Sequence, residues 1–337
     1  MTSVRVGGRT LGLSNLDKPL YPDGWTKGEV IDYYARVADT MLPHIRDRAL
    51  TRLRFPGGVP AGTRALETGG TTPIAAGSFY EKNAPVGTPG WVRRQPVRTS
   101  EGVIDYVVAD ETATLVWLAN LAALELHVPQ WTIGSGRVGD DGVLGLPGEE
   151  PFAGERFLAG EPLADRVVVD LDPGAGMDVL DSAHAALLVA QVLAGDGLVP
   201  VPQTSGSKGV QVYAAVAPCR AREAWAYVKG LNVAMARARP DLFVSAMSVE
   251  QRKGRIYVDH NQDLPARNTV APYSLRGRER PSVATPVTWE ELAAATHPGD
   301  LHFSPAAVLD RVAEQGDLAA DLLLDDRPPL PTSPPSA

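Results

Sequence analysis

The stretch that decides the fold is RVVVDLDPGAG, residues 166–176, in which an apolar run passes through two aspartates. Because side chains alternate across a β-strand, Asp170 and Asp172 point to the same side. Two carboxylates held together repel each other, so a positive group should lie between them. The DPG sequence is also common in turns, and from spacing alone a strand ending in a turn and a pair of metal ligands are equally good interpretations.

A second strand carries a third acid. GRIYVDH, residues 254–260, is a short β-branched and aromatic segment that has Asp259 near its end. Three carboxylates at strand ends are what two hard divalent ions require, because Mg²⁺ and Mn²⁺ prefer oxygen ligands and leave room for phosphates. We therefore take Asp170, Asp172 and Asp259 as candidate catalytic and metal-binding residues.

A small flexible turn lies in TSGSKGVQVYAAV, residues 204–216. Its glycines allow close backbone approach, Ser205 offers a hydroxyl, and Lys208 provides a point charge suited to a phosphate. The spacing is not that of a P-loop. Considered in isolation, the segment is better interpreted as a plain hairpin turn.

Arginines flank the third acid. Arg252 precedes its strand, and VAPYSLRGRER, residues 270–280, brings Arg276, Arg278 and Arg280. The planar guanidinium suits phosphate oxygens, so arginines beside a carboxylate–metal site can neutralise a triphosphate. For Arg278 and Arg280 we expect instead a solvated charged face. The three acids, the turn that carries Lys208 and the arginines together indicate nucleotidyl transfer.

The composition is that of a globular protein. Of 337 residues, 44% are hydrophobic and 21% are charged, and the one cysteine, Cys219, excludes internal disulfides and multi-cysteine zinc sites. No apolar run reaches the roughly 18 residues that a membrane span needs, and the first residues do not resemble a secretory signal. The formal charge of −8 argues mildly against nucleic acid, so any such binding must come from local basic patches.

Periodicity and capping predict most elements. Thr26 and Glu29 form a capping box for a helix over about 26–43. A buried helix is expected from 112 to about 124, followed by an extended segment that carries His127. The other predicted elements are strands at 49–59, 166–172, 199–203, 209–216 and 254–260, helices at 179–194 and 221–238, a long excursion at 132–165, and a disordered Pro- and Ser-rich tail at 326–337.

Several ordered motifs carry a family resemblance. They are LSNLDKPLYPDGWTKGEVIDYYARVADTMLPHI, FYEKNAP, WLANLAALELHVPQW, VVVDLDPG, SGSKGVQVY and VDHNQ…TVAPYSLR. The chain resembles, from about residue 10 to 295, the polymerase domain of bacterial DNA ligase D, in the archaeo-eukaryotic primase superfamily. The resemblance implies an α+β fold, a primase-like catalytic core with mixed and antiparallel sheets flanked by helices. It implies one catalytic unit over 1–325 with a long insertion at 132–165, as a stand-alone homologue.

The resemblance also implies roles for site residues. Asp170, Asp172 and Asp259 would hold two Mn²⁺ or Mg²⁺ ions. Contacts to the nucleotide would come from His127, Ser205, Lys208, Arg252 and Arg276, contacts to a 5′-phosphate on DNA from Asn15, Lys18 and Lys27, and stacking on the template base from Phe79 and Tyr80. Without the resemblance, His127 would be interpreted as a packed core residue, and Asn15, Lys18 and Lys27 as ordinary charged and polar residues of the surface.

Two departures stand out. The family usually has histidine where this chain has Gln211, and the excursion at 132–165 is longer than in the ligase-linked domains. The family also more often has two phenylalanines where this chain has Phe79 and Tyr80. The expected function is metal-dependent, template-directed nucleotidyl transfer that fills short gaps or extends DNA ends, favouring ribonucleotides. A de novo primase and a DNA-end-binding module with a weakened site are the alternatives.

The expected partners follow from that function. They are gapped or broken DNA with a 5′-phosphate, an NTP or dNTP, a separate ATP-dependent DNA ligase and a Ku-type end-binding protein. We expect a monomer in the bacterial cytoplasm, associated with the nucleoid and not with a membrane.

Overall fold

The computed structural model describes residues 2–62, 77–100, 102–146, 160–246 and 248–332. The strands, in chain order, are β1 (Thr2–Val6), β2 (Arg9–Leu13), β3 (Thr51–Arg54), β4 (Phe79–Glu81), β5 (Arg94–Thr99), β6 (Gly102–Val107), β7 (Ala123–Val128), β8 (Leu144–Gly145), β9 (Leu163–Pro173), β10 (Pro200–Thr204), β11 (Val210–Arg220), β12 (Phe243–Val244), β13 (Ile256–Val258), β14 (Thr269–Val270), β15 (Leu275–Arg276), β16 (Ser282–Val283) and β17 (Thr285–Pro286).

The α-helices are α1 (Lys27–Ile45), α2 (Thr112–Asn120), α3 (Val179–Gly195), α4 (Ala221–Ala238), α5 (Val249–Arg252), α6 (Trp289–Ala294) and α7 (Pro305–Gln315). Short 3₁₀ turns occupy Ile133–Ser135, His260–Asp263, Pro298–Leu301 and Ala320–Leu323. Within the described ranges, no helix combines the length and apolar character that a bilayer span demands. The α+β class predicted from the sequence is confirmed.

The central sheet has six strands in the order β12-β13-β9-β11-β10-β17. All its neighbours pair antiparallel except β12 and β13. Strand β9 lies inside the sheet because its valine run can be buried on both faces. The two aspartates of that run are thereby placed between β11 and β13.

The two faces of β9 have different surroundings. Val167, Val169 and Leu171 join a core cluster with residues of α3 and α4. Alternation therefore turns Asp170 and Asp172 to the opposite face, away from these helices. The hydrophobic side of the strand fixes the register and so decides where the carboxylates point.

A second sheet has the order β14-β7-β3-β4, and α1 and α2 share a core cluster with its residues. Thr26 and Glu29 form the predicted capping box, which satisfies free N–H groups at the start of α1. A smaller sheet, β6-β5-β8, and the pairs β1-β2 and β15-β16 complete the architecture. The edge strand of the four-stranded sheet, β4, carries the predicted aromatic pair, Phe79 and Tyr80.

Most predicted elements lie within a few residues of their observed positions, with informative exceptions. The helix expected to reach 124 ends at Asn120, because Ala122 adopts a φ of 58° and the chain enters β7. In the expected excursion at 132–165, β8 and the turn at Ile133–Ser135 are formed, and residues 147–159 lie outside the described part of the chain.

The start of the predicted tail contacts the body. Arg327 pairs with Asp165 at 2.9 Å, and the carbonyl of Pro328 accepts a hydrogen bond from the Ala217 amide. Leu330 packs against the core of the central sheet. These contacts show order at 327–330, where disorder was expected, and residues 333–337 lie outside the described ranges.

Candidate active site

Three carboxylates meet at the end of the central sheet. Asp170 faces Gln211 of β11 across the sheet, and Asp172 faces Tyr257 of β13. Asp259 follows β13 directly, and its amide donates to the carbonyl of Asp170 at 2.9 Å. One ligand oxygen from each acid lies within 4.8 Å of the others. The convergence predicted from the two strands is confirmed.

This cluster carries more negative charge than its neighbours offset. Burial and the charges of Asp172 and Asp259 hold the pKa of Asp170 well above its usual range. Arg252 donates to Asp172 at 3.2 Å, which compensates part of the charge. Carboxylate oxygens in such an arrangement are the donors that Mg²⁺ and Mn²⁺ prefer, so the three acids fit a metal site.

Glycine is required where Arg252 approaches the acids. A Cβ on Gly174, in the DPG turn, would lie 1.7 Å from the carbonyl oxygen of Arg252. The guanidinium of Arg252 lies over the Tyr257 ring, 4.5 Å from its centroid. The turn sequence thus ends the strand, as one of the two interpretations predicted, and it also admits the backbone of Arg252, whose side chain contacts Asp172.

The turn that carries Ser205 and Lys208 is tied to Arg276. The Ser205 hydroxyl accepts from the Gly209 amide at 3.1 Å, and Arg276 donates to the Ser205 carbonyl at 2.6 Å. Gly206 has a φ of 67°, and a Cβ there would meet the Arg276 side chain at 2.7 Å. The Lys208 side chain is exposed. The turn therefore presents the exposed side chain of Lys208 close to the buried Arg276.

A second buried carboxylate, Glu125, holds the other predicted nucleotide contacts. It lies 3.0 Å from His127 Nε2, 3.2 Å from Arg276 Nε and 3.8 Å from Arg278 Nη1. It also accepts from the Gly277 amide at 2.9 Å. Burial raises the pKa of Glu125, but Arg276, His127 and Arg278 outweigh that effect and lower the pKa well below its usual range.

The prediction that Arg278 lies on a solvated face is wrong, whereas Arg280 is exposed as expected. The Arg278 side chain is only 14% exposed because β15 and the following loop fold over Glu125. Burial and the charge of Arg276 lower the pKa of Arg278 to about 10, so it stays cationic at neutral pH. Burial lowers the pKa of His127 more than Glu125 raises it, which favours a neutral imidazole.

The aromatic pair lies at the edge strand β4. Phe79 is 40% exposed and Tyr80 is 52% exposed, which is unusual for rings of this size. The Arg54 guanidinium lies 5.3 Å from the Phe79 ring centroid, and Tyr80 packs edge-on against His127 at 5.9 Å. Tyr80 thus links the aromatic edge to the Glu125 cluster.

The residues expected to bind a 5′-phosphate form a separate group. The Asn15 carbonyl accepts from the Lys18 amide at 3.1 Å, and Lys18 Nζ donates to the Pro56 carbonyl at 2.6 Å. Lys27 is only 6% exposed, and burial and the charge of Lys18 lower its pKa. Tyr21 joins this group to the nucleotide residues by donating to the Arg276 carbonyl at 2.9 Å.

The motif-by-motif interpretation of the sequence missed Glu125. The signal was present in ELHV, because Glu125 and His127 are two residues apart on a strand and must share a face. Arg278 carried no local signal, since its burial depends on contacts with Glu125 far away in sequence. The partners of Gln211 were also missed because they come from neighbouring strands.

Comparisons with known proteins agree with this geometry. Residues 26–319 match the family model for the LigD primase-polymerase domain. The chain is 39% identical over 315 residues to the multifunctional non-homologous end joining protein LigD of Mycobacterium bovis, covering 93% of this chain and 37% of that protein. It is 29% identical over 313 residues to the bifunctional non-homologous end joining protein LigD of Bacillus subtilis, covering 91% of this chain and 43% of that protein.

A solved structure is similar across nearly all of both chains. The polymerase domain from Mycobacterium tuberculosis ligase D in complex with DNA superimposes with a TM-score of 0.77 at 38% identity, covering 94% of this chain and 98% of that one. Sequence, fold and site agree, and the chain belongs to the LigD primase-polymerase domain family.

Proposed function

We propose that this chain is a metal-dependent, template-directed nucleotidyltransferase that fills short gaps and extends DNA ends. The observation that carries the proposal is the convergence of Asp170, Asp172 and Asp259, with ligand oxygens within 4.8 Å of one another. Arg252 alongside them is suited to the phosphates of an incoming nucleotide. Three acids this close together also argue against the alternative of a DNA-end-binding module with a weakened site.

The acids would hold Mn²⁺ or Mg²⁺ ions. When bound, two such ions supply activation of a primer 3′-hydroxyl and stabilisation of the departing pyrophosphate. The chain's own part is to keep the three carboxylates on one face, which the paired strands β9 and β13 do. Excess negative charge on the cluster then favours cation binding over an empty state.

The remaining polar residues would position the nucleotide. Lys208, Arg252 and Arg276 supply positive charge for the triphosphate, and Ser205 shapes the turn. A neutral His127 donates Nε2–H to Glu125, which leaves Nδ1 as an acceptor for a sugar hydroxyl. Because Glu125 fixes Arg276 and His127 before the ligand arrives, little side-chain entropy is lost on binding. A preference for ribonucleotides forms part of the proposal.

DNA would be held at two places. The exposed rings of Phe79 and Tyr80 offer surfaces for stacking on a template base, which every base permits. Asn15, Lys18 and Lys27 would bind a 5′-phosphate downstream of a gap, with Lys27 in the first turn of α1, where N–H groups attract anions. The related solved structure is of a complex with DNA, which supports DNA binding by this chain.

The wider context is proposed by analogy with the relatives, of which this chain spans less than half the length. We infer partners in a separate ATP-dependent ligase and a Ku-type end-binding protein, and a monomer associated with the bacterial nucleoid. Residues 1–325 would act as one catalytic unit, since Phe303 packs against both main core clusters.

The proposal is tested on a gapped duplex with a 5′-phosphate, Mn²⁺ and either ribonucleotides or deoxyribonucleotides. The wild type should extend the primer according to the template, favouring ribonucleotides, and Asp259→Ala should not extend it. Asp241→Ala is the matched control, because Asp241 is an exposed acid paired with Arg239. Absence of extension by the wild type, or extension by Asp259→Ala at the wild-type rate, would contradict the proposal.

The 5′-phosphate contact is tested by Lys27→Met. This substitution should weaken binding to a phosphorylated gap by about tenfold, since one charge-assisted contact is lost, and should hardly affect a gap ending in a 5′-hydroxyl. Fluorescence anisotropy on both duplexes measures the difference. Equal losses on the two substrates would make Lys27 a general backbone contact.

A further inference from the structure

The donor that faces the acidic cluster from the sheet interior is Gln211. It lies directly opposite Asp170 on the neighbouring strand and is 4% exposed, so its side chain is within reach of that carboxyl. The ionised carboxylate that a metal ion requires only accepts hydrogen bonds, so the amide has to present Nε2 to Asp170. The neighbours of its other end determine whether that orientation is enforced.

Two donors hold the carbonyl end of the Gln211 amide. Gln203 Nε2 donates to Gln211 Oε1 at 3.0 Å, and the Tyr213 hydroxyl donates to the same oxygen at 3.0 Å. Gln203 is the cross-strand neighbour of Gln211 on β10, so a polar row crosses three adjacent strands. A flipped amide would bring Nε2 against the Gln203 donor and Oε1 against Asp170, and both contacts would be repulsive.

The Tyr213 hydroxyl belongs to a longer buried chain with one direction. Its source is Arg166, because a guanidinium has donors and no acceptor. The chain passes from Arg166 Nε to Gln130 Oε1 (2.8 Å) and from Gln130 Nε2 to Thr269 Oγ1 (2.9 Å). The Thr269 and Tyr213 hydroxyls lie 3.0 Å apart and either can donate, and the Tyr213 hydroxyl has two acceptors, Gln211 Oε1 at 3.0 Å and the Val270 carbonyl at 3.3 Å. With Tyr213 donating to the nearer acceptor, Gln211, Thr269 donates to Tyr213. Each amide or hydroxyl thereby has its donor side turned towards the Asp170 end.

This network carries a stability cost. Gln203 Oε1 and Arg166 Nη2 are buried without a hydrogen-bond partner among the described residues. A buried polar atom left unpaired destabilises the folded state, because it has lost its hydrogen bonds to water without replacement. Apolar side chains in the same strands would avoid that penalty, so the network is better explained by what it does to Asp170 than by stability.

We propose that Gln211 is a positioning residue for Asp170, oriented by Gln203 and by the directed hydrogen-bond chain from Arg166. The inference rests on the proposed function, in which Asp170 is a metal ligand. Gln211 acts by holding one carboxylate oxygen, so that the other faces Asp172 and Asp259. The histidine usual in the family at this position is thus replaced by an amide whose orientation its neighbours enforce.

The test is Mn²⁺ binding to the purified protein without DNA or nucleotide, followed by the electron paramagnetic resonance signal of free Mn²⁺. Gln211→Met keeps the side-chain length and removes every hydrogen bond of the amide. It should weaken Mn²⁺ binding by about tenfold, as loss of a partner behind a metal ligand typically does. Tyr213→Phe should weaken binding by about threefold, and Gln211→His, which restores an N–H donor, should remain within about threefold of the wild type.

The control for a lost buried hydrogen bond is Tyr227→Phe, because the Tyr227 hydroxyl donates to Asp196 at 2.8 Å away from the acidic cluster. Its Mn²⁺ affinity should not change. The inference is overturned if folded Gln211→Met binds Mn²⁺ as the wild type does, or if Tyr227→Phe loses as much. If Gln211→Met does not fold, Tyr213→Phe takes its place, and wild-type Mn²⁺ affinity in that variant overturns the inference.

Failure of the proposed function has a different signature. Asp170→Asn should abolish tight Mn²⁺ binding. If it binds Mn²⁺ like the wild type, the metal site itself is refuted and the role of Gln211 falls with it. If it loses binding while Gln211→Met keeps it, only the positioning role is refuted.

Discussion

Asp170 and Glu125 are both carboxylates on inner strands, the first partly exposed and the second fully buried, and their pKa values shift in opposite directions. Around Asp170, burial and two further acids raise the pKa. Around Glu125, two arginines and a histidine overcome the effect of burial and lower it. The Asp170 cluster therefore lacks positive charge, whereas the Glu125 cluster has a surplus.

The difference separates two tasks. A carboxylate that is already paired inside the protein is available to fix the positions of its partners, as Glu125 does for Arg276 and His127. Carboxylates that repel one another are stable in their ionised form only when a cation arrives from outside. One region is thus built to hold ligand contacts in place, and the other to take up a metal ion.

The sharpest test of this contrast is Asp170→Asn. It removes one charge but keeps a side chain of the same size, so extension activity should fall by about a thousandfold or more, about 4 kcal/mol in transition-state stabilisation. The metal-free protein should be as stable as the wild type at neutral pH or more so, because ionising a carboxyl with a raised pKa disfavours the folded state. Primer extension and urea denaturation give the two values, and a large loss of stability would contradict the contrast.

Glu125→Gln should have the opposite outcome. Removing the charge leaves Arg276 and Arg278 buried beside a neutral amide, and breaking a buried ion pair from one side costs about 3 kcal/mol. Urea denaturation at neutral pH measures the loss. Activity should fall mainly through a raised KM for the nucleotide, because Arg276 and His127 lose their anchor.

The pH dependence of that loss has a definite sign. The folded-state pKa of Glu125 lies below its ordinary value of 4.5, so its ionisation stabilises the fold fully above that value. This contribution is lost as the pH falls through the window between the unfolded and folded pKa values. The stability difference between wild type and Glu125→Gln should therefore be constant from about pH 7 to 5 and shrink below about pH 4. A stability difference that grows as the pH falls would refute the conclusion that Glu125 is an ionised carboxylate stabilised by its neighbours.

The smallest expected effect separates two arginines in one loop. Arg278→Ala should raise the KM for the nucleotide by about tenfold, since a buried cation next to Arg276 is lost. Arg280→Ala is the matched control, because Arg280 is exposed and should leave the KM unchanged. Steady-state extension with varied nucleotide measures both. Equal effects of the two substitutions on KM would mean that Arg278 contributes no more to nucleotide binding than an exposed arginine does.

Much of the fold follows from local patterns. The helix at α1 was predicted within two residues of its observed end, because its capping box and apolar spacing are properties of a short segment. The β9 strand was predicted from its apolar run, and the shared side of Asp170 and Asp172 from the alternation of side chains along a strand. The helix expected to reach residue 124 was too long, because an apolar run does not distinguish a buried helix from a buried strand.

The sequence by itself determined the acids, since two strands with aspartates near their ends place carboxylates at one edge whenever those strands pair. The tertiary structure decided the charge balance around them. Gly277 and Glu125 are 152 positions apart in the chain, and only their contact shows that Arg278 is buried and Glu125 ionised. Periodicity describes which face a residue occupies on its own element, whereas a pKa and a hydrogen-bond direction depend on the residues that other elements bring to that face.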